Sequence, residues 1–257
     1  MTVFEWFKLI LIGIVEGITE WLPVSSTAHM LLLDEILPLN QSAEFKDVFF
    51  IVIQLGAIMA VVVKFWKKLS PFGYGEQPGM AQKKCYIKKE IFMMWFKIAF
   101  ACIPGFITAM LFDDYIEAHL QTPYIIGATL AIYGIILVII EQVNKKKTAR
   151  ITSVDDLSFK DAFIIGLFQC LSIIPGTSRS GSTIATGLMT GVSKNEVAQF
   201  SFLMVIIPIL GEAFLDLIGG GFSFSQCGIA PMSLFVGFLA AYLSGVFACK
   251  FFCRLNP

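Results

Sequence analysis

The chain has 257 residues, of which 56% are hydrophobic, 14% aromatic and only 15% charged, with a mean hydropathy of +0.77, whereas an ordinary soluble domain carries about a quarter charged residues. This composition excludes a soluble globular domain and points to an all-α, polytopic membrane protein. Lys plus Arg (19) balance Asp plus Glu (19), so net charge selects no class of partner and only the placement of the lysines is informative.

A full crossing needs about 20 apolar residues. The first apolar region, about 4 to 37, carries Glu5 and Lys8 and leads into Glu16 rather than to a small-residue cleavage site, so it is expected to be retained. It is broken near its middle by Pro23 and Ser25-Ser26-Thr27. Full-length spans are predicted over 47 to 66, 91 to 112 and 123 to 141. A second broken region, 161 to 191, is interrupted by Pro175-Gly176-Thr177-Ser178-Arg179-Ser180-Gly181, and spans over 197 to 218 and 231 to 252 follow. Irregular backbone at membrane depth is tolerated where protein buries it or water lines it, so both breaks are expected at an internal cavity. Cysteines at 85, 102, 170, 227, 249 and 253 lack paired spacing and read as small buried hydrophobes rather than disulfides or a zinc site.

Lysines and arginines set the expected orientation. Lys67, Lys68, Lys83, Lys84, Lys88 and Lys89 lie in one connection, and Lys145, Lys146, Lys147 and Arg150 in another; both are expected in the cytoplasm. Asp113, Asp114 and Glu117 mark a connection outside, and Lys250 and Arg254 end the chain inside. The whole chain reads as one integral-membrane domain, 1–257. Its first repeat is 4–112 and its second 161–252, with the linking span 123–141 inverting the second copy. At a constant offset of 153, Gly13 falls on Gly166, Glu16 on Gln169, Ser25 on Ser178, Ser26 on Arg179 and Thr27 on Ser180. In such inverted-topology repeats, two re-entrant broken helices meet near the midplane and aim their N-termini at an anionic ligand.

Glu16 and Glu20 are four apart and share a helix face, so in a low-dielectric setting a proton, a metal ion or an arginine must offset one charge. An acidic face touching water would explain the pair too, but Ile18, Trp21 and Leu22 crowd the same turns. A lone His29 would be an ordinary core histidine; beside hydroxyls and carboxylates it is a candidate general acid or base. The second turn joins small residues, hydroxyl donors and one guanidinium at the start of a half-helix, which are the parts of a phosphate cradle. A Gly/Ser-rich turn alone is usually only a turn; Arg179, flanked by membrane segments, needs a counter-charge. Gln54, Glu212 and Asp216 are polar within spans and able to line a cavity, and the last two also fit an outer interface.

At these residues the sequence closely resembles the undecaprenyl pyrophosphate phosphatase family, the bacitracin-resistance type of integral-membrane polyprenyl-diphosphate phosphatase. Glu16, Glu20, Leu22, Pro23, Ser25, Ser26, Thr27 and His29 match the family's first motif, and Pro175, Gly176, Ser178, Arg179, Ser180 and Gly181 its second. Phe168-Gln169-Cys170, Gln54-Leu55-Gly56 and Gly191-Val192-Ser193 also look like family positions. Ala28 stands where the family usually has Gly, which costs backbone freedom if positive φ is needed. The family usually continues past a segment like Lys250 to Arg254 into one more span, so of five to six transmembrane helices this chain, ending at Pro257, is expected to hold five.

The resemblance implies hydrolysis of undecaprenyl diphosphate to undecaprenyl phosphate and inorganic phosphate on the extracytoplasmic face of the bacterial inner membrane, recycling the carrier for peptidoglycan synthesis. The expected catalytic residues are Ser26, His29, Glu20 and Arg179, with Ser26 as nucleophile and His29 as the rival that would form a phosphohistidine. Phosphate is expected at Ser25, Thr27, Gly176, Thr177, Ser178, Arg179 and Ser180, and a divalent cation, Mg2+ or Ca2+, at Glu16 and Glu20. Expected partners are the lipid substrate and membrane lipids, with no nucleic acid and a homodimer left open. The competing expectation is a transporter or flippase for polyprenyl phosphate or a small anion, with Glu16 and Glu20 coupling protons.

Overall fold

The computed structural model describes residues 2–75, 84–145, 147–218 and 231–255. Lys83, Lys146, Cys227 and Pro257 lie outside these residues, as do the side chains of Lys84, Cys85, Glu117, Cys253 and Arg254.

The helices are α1 (Val3–Thr19), α2 (Ser26–Ile36), α3 (Ala43–Leu69), α4 (Lys89–Leu120), α5 (Pro123–Asn144), α6 (Phe159–Gln169), α7 (Arg179–Met189), α8 (Lys194–Ile218) and α9 (Pro231–Leu255). Five of them, α3, α4, α5, α8 and α9, are long and apolar enough to cross a membrane. Starts follow capping chemistry. Thr2, Ser42 and Thr122 accept from backbone amides at Glu5, Phe45 and Ile125, Pro123 occupies the first turn of α5, and Ser158 with Asp161 forms a capping box on α6. Lys67 and Lys68 in the last turn of α3 oppose its C-terminal partial charge.

The stretch after α3, read from sequence as a basic loop, instead contains an antiparallel hairpin, β1 (Phe72–Gly75) and β2 (Lys84–Ile87), with Phe72 opposite Ile87. Phe72 and Ile87, opposite each other, are an aromatic and a β-branched residue, which favour strand pairing.

Helix, break, helix, span, span occurs twice, with α5 between the copies. The copies pack crosswise. α1 of the first lies against α9 of the second, and α6 of the second against α4 of the first. Glycine permits both approaches: a Cβ on Gly13 would run into the Gly237 carbonyl and one on Gly166 into the Ala101 carbonyl. These two glycines are partners in the 153-residue register of the sequence.

One hydrophobic cluster joins α3, α4, α6, α7, α8 and α9, with Trp21 edge-on to Phe202 at 5.2 Å; the other joins α1, α2, α3 and α9 around Phe45, Phe49 and Ile53. Ile132, Ile135, Val138 and Ile139 of α5 are exposed, as suits a lipid-facing helix. Among the described residues no disulfide forms, and Cys102 and Cys249 are buried as expected.

Candidate active site

The first break occupies residues 20 to 25. α1 ends at Thr19, Trp21 is fully buried, and the Val24 amide bonds back to the Leu22 carbonyl at 2.8 Å. Ser25 then stands at φ +64°, alone among the described non-glycine residues in the left-handed region. Its hydroxyl makes no capping bond, so the first amides of α2 are left without a side-chain partner. Instead the Ser25 carbonyl accepts from the His29 amide at 3.3 Å and meets His29 Nδ1 at 2.8 Å. A carbonyl only accepts, so Nδ1 is the donor in this contact and Nε2 faces away from it. The Ser26 hydroxyl donates to Glu20 Oε2.

The second break continues α6 through a 3₁₀ turn, Cys170–Ile173, into Pro175 and Gly176. Gly176 has φ +95°, and a Cβ there would strike Thr129 and the Ile126 carbonyl. Thr129 of α5 donates to the Pro175 carbonyl, and Thr177 donates to the Leu171 and Ile174 carbonyls. Ser178 caps α7, accepting from the Gly181 amide at 3.1 Å. The Tyr133 hydroxyl donates to the Ser178 carbonyl at 3.3 Å and lies 2.9 Å from Ser182 Oγ.

The breaks meet. Ser180 Oγ donates to the Leu22 carbonyl at 3.4 Å, and the N-termini of α2 and α7 both open on a cavity of about 50 Å³. Thr19, Glu20, Ser25, Ser26 and Thr27 line it from the first copy, Ser172, Thr177, Ser178, Arg179 and Ser180 from the second, with Gln54 of α3 and Ile209 of α8. Four pairs, Thr19 with Ser172, Ser25 with Ser178, Ser26 with Arg179 and Thr27 with Ser180, keep the 153-residue register. The cavity is therefore a joint product of the repeats.

Among the described residues no carboxylate lies within 4 Å of the Arg179 guanidinium. It interacts electrostatically with Glu16, Glu20 and Glu212 from farther off. Its planar donors are thus available to oxygens entering the cavity.

Three expected site residues do not line the cavity. His29 lies one turn behind it, turned onto Ser25. Gly176 shapes the turn from below. Glu16 is fully buried with neither carboxylate oxygen hydrogen-bonded, and Gln169 at the same repeat register also has a buried oxygen without a partner. Ala28 sits inside α2 with ordinary helical backbone, so replacing Gly costs nothing there; the positive φ belongs to Ser25. Thr19, Ser172 and Ile209 were not anticipated, although the repeat register applied six residues upstream of Ser25 and Ser178 reaches Thr19 and Ser172. Glu212, one helical turn beyond Ile209, comes within electrostatic reach of Glu16, Glu20 and Arg179.

The cavity thus offers a hydroxyl already bonded to a carboxylate, a guanidinium without an ion-pair partner and two helix N-termini, a set suited to phosphoryl transfer. A divalent cation fits the donor chemistry in part. Glu20 and several hydroxyls on the cavity wall are hard oxygen donors, whereas Glu16, whose two oxygens have no hydrogen-bond partner, is buried off the cavity wall. Among the described residues no cluster of three or more His, Cys, Asp or Glu forms, so substrate oxygens or water would complete any coordination.

Known proteins match the chain nearly throughout. It is 48% identical to an undecaprenyl-diphosphatase of Enterococcus faecalis over 247 residues, covering 96% of this chain and 87% of that one. It is 44% identical to an undecaprenyl-diphosphatase of Desulfitobacterium hafniense, covering 98% and 87%, and 45% identical to one of Lachnoclostridium phytofermentans, covering 98% and 88%. The family described as "Bacitracin resistance protein BacA" matches residues 9–256, and the chain belongs to that family.

Proposed function

We propose that this protein is an undecaprenyl-diphosphatase, releasing inorganic phosphate from undecaprenyl diphosphate to leave undecaprenyl phosphate. The observation that carries the reading is the Ser26 hydroxyl donating to Glu20 inside the cavity that Arg179 faces. Glu20 takes the hydroxyl proton as Ser26 Oγ attacks the terminal phosphorus. The bond to the bridging oxygen breaks, undecaprenyl phosphate leaves, and water then hydrolyses the phosphoserine. Arg179, the Ser25 and Ser178 hydroxyls and the uncapped amides of α2 hold the oxygens on which charge builds. Thr27, Thr177 and Ser180 complete the polar wall.

His29 suits a proton role better than a nucleophilic one, because Ser26 lines the cavity and His29 does not. Its Nε2, with Nδ1 held by Ser25, is poised to exchange a proton with water. A divalent cation, Mg2+ or Ca2+, would be held by Glu20 with Glu16 behind it. When bound it would neutralise charge on the diphosphate oxygens.

The two copies form an inverted pair on this reading, with the cavity on the extracytoplasmic side of the bacterial inner membrane. Glu212, one helical turn from the cavity-lining Ile209, lies within electrostatic reach of Arg179, Asp113 and Asp216, while Lys67, Lys68 and Lys88 gather elsewhere. The transporter reading is not favoured: the relatives carry the phosphatase name, and a hydroxyl bonded to a carboxylate exceeds what binding requires.

The test is phosphate release from undecaprenyl diphosphate by the detergent-purified protein, with and without a chelator, beside Ser26→Ala and His29→Ala. Ser26→Ala is expected to abolish turnover with no phosphoenzyme. A phosphohistidine trapped in Ser26→Ala would transfer the nucleophilic role to His29, and no release from folded wild-type protein would sink the phosphatase reading.

A further inference from the structure

A second cavity, of about 270 Å³, lies away from the active site between the C-terminal turn of α3, the start of α4, the 3₁₀ turn at Val154–Asp156 and the start of α8. Along α3 it is separated from Gln54 by 13 residues, about 20 Å of helix. Its wall carries the ammonium side chains of Lys67, Lys68 and Lys88 beside Glu90, Asp155 and Glu196, over a floor of Ile91, Met94 and Val154.

These charges do not satisfy one another. Among the described residues, no carboxylate lies within 4 Å of Lys67, Lys68 or Lys88. Lys68 donates to the Gln199 side chain and Lys88 to the Lys67 carbonyl at 3.5 Å, both neutral acceptors. Glu196 accepts from the Val154 amide at 2.9 Å, and among the described residues no donor bonds the side-chain carboxylates of Glu90 or Asp155. The walls therefore suit a ligand with anionic acceptors at one end and hydrogen-bond donors at the other.

The surroundings are apolar. Trp66, adjacent in sequence to Lys67, and Phe72 and Ile87, paired on the hairpin between α3 and α4, are 61%, 62% and 58% exposed, within a few residues of the ends of two helices long enough to span a membrane. Aromatic side chains at this level sit among lipid headgroups, and basic pockets between membrane helices bind anionic ones.

We propose that this cavity binds an anionic phospholipid headgroup: its phosphate contacts Lys67, Lys68 and Lys88, its hydroxyl donors contact Glu90 and Asp155, and its acyl chains lie along Trp66, Phe72 and Ile87. Phosphatidylglycerol has this chemistry. The site is separate from the diphosphate cavity and needs no turnover.

The test follows the thermal midpoint of the full chain in detergent as phosphatidylglycerol, phosphatidylcholine or inorganic phosphate is added. Phosphatidylglycerol is expected to raise the midpoint saturably and phosphatidylcholine to leave it lower. In Lys67→Gln/Lys68→Gln/Lys88→Gln the apparent affinity is expected to fall by about tenfold or more. Should the triple variant fold poorly, Lys67→Gln alone removes an ammonium that donates to no described residue and still weakens the response severalfold. Phosphate release by either variant in phosphatidylcholine is expected to match wild type. Equal shifts with both lipids, or a lipid response unchanged in the lysine variants, would overturn the site. Inorganic phosphate reproducing the full shift would overturn the lipid as its occupant.

Discussion

At the first turn, a serine stands at φ +64°, its hydroxyl leaves the following helix uncapped, and the neighbouring hydroxyl is committed to Glu20. At the second, a glycine takes φ +95° without a side chain to strain, Ser178 caps the following helix, and Thr129 and Tyr133 of α5 hold the carbonyls on either side. The two turns occupy the same repeat register. One keeps backbone strain and open amides, of order 1–3 kcal/mol for a non-glycine residue in this region; the other satisfies its backbone and leaves one guanidinium open. The difference assigns them different work. On the proposed mechanism the first turn would carry the reacting hydroxyl, and the second would hold the phosphate oxygens.

The largest expected effect tests the holder. Arg179→Ala removes the cavity's cation from the charge that develops in transfer, so kcat is expected to fall by about 10²–10³-fold, measured as phosphate release, with the thermal midpoint little changed. A variant that keeps its rate would deny the second turn its assigned part.

Gly176→Ala comes next. It adds a Cβ where Thr129 and the Ile126 carbonyl already stand and forces left-handed backbone on alanine. Loss of about 2–3 kcal/mol of stability is expected from strain and overlap together, read from denaturation in detergent. Activity should fall with the folded fraction.

Ser25→Gly sharpens the contrast by moving the other way. It relieves the strained φ, so stability is expected to rise by up to about 1 kcal/mol, while phosphate release drops for want of the hydroxyl and of a fixed turn. Stability and rate lost together would remove the distinction between the turns.

Ser178→Ala is the smallest. It deletes the α7 cap at a cost of about 1 kcal/mol, with a modest fall in rate because Arg179 begins the same helix. If Ser178→Ala costs as much in rate as Arg179→Ala, the Ser178 hydroxyl's hold on the phosphate oxygens outweighs its part as a cap.

Much of this was legible in the chain. The five long helices fall where apolar runs of adequate length predict them, because a membrane span is a local property of about 20 residues. Both breaks fall at Pro23 and Pro175-Gly176, since proline and glycine act on their own backbone. Gly13 and Gly166 were visible as repeat partners, but nothing local says that each half-helix packs on the other copy's span. The hairpin at Phe72–Gly75 and Lys84–Ile87 was missed because a basic loop hides a short strand pair.

Within the site, the sequence alone determined the residue types: two carboxylates four apart, a run of hydroxyls and an arginine in the matching turn. The tertiary structure decided which of them face the cavity. Glu20 faces it and Glu16 does not, although both lie on one helix, because α1 buries Glu16 in the protein interior before the chain turns at Trp21. His29 lies behind the cavity because the Ser25 carbonyl holds its ring, and Ser172 reaches it because a 3₁₀ turn re-aims the end of α6. Helical spacing fixes neighbours along one element. Which side chains share a cavity depends on close approach between elements far apart in sequence, and here two repeats had to meet before there was a cavity to face.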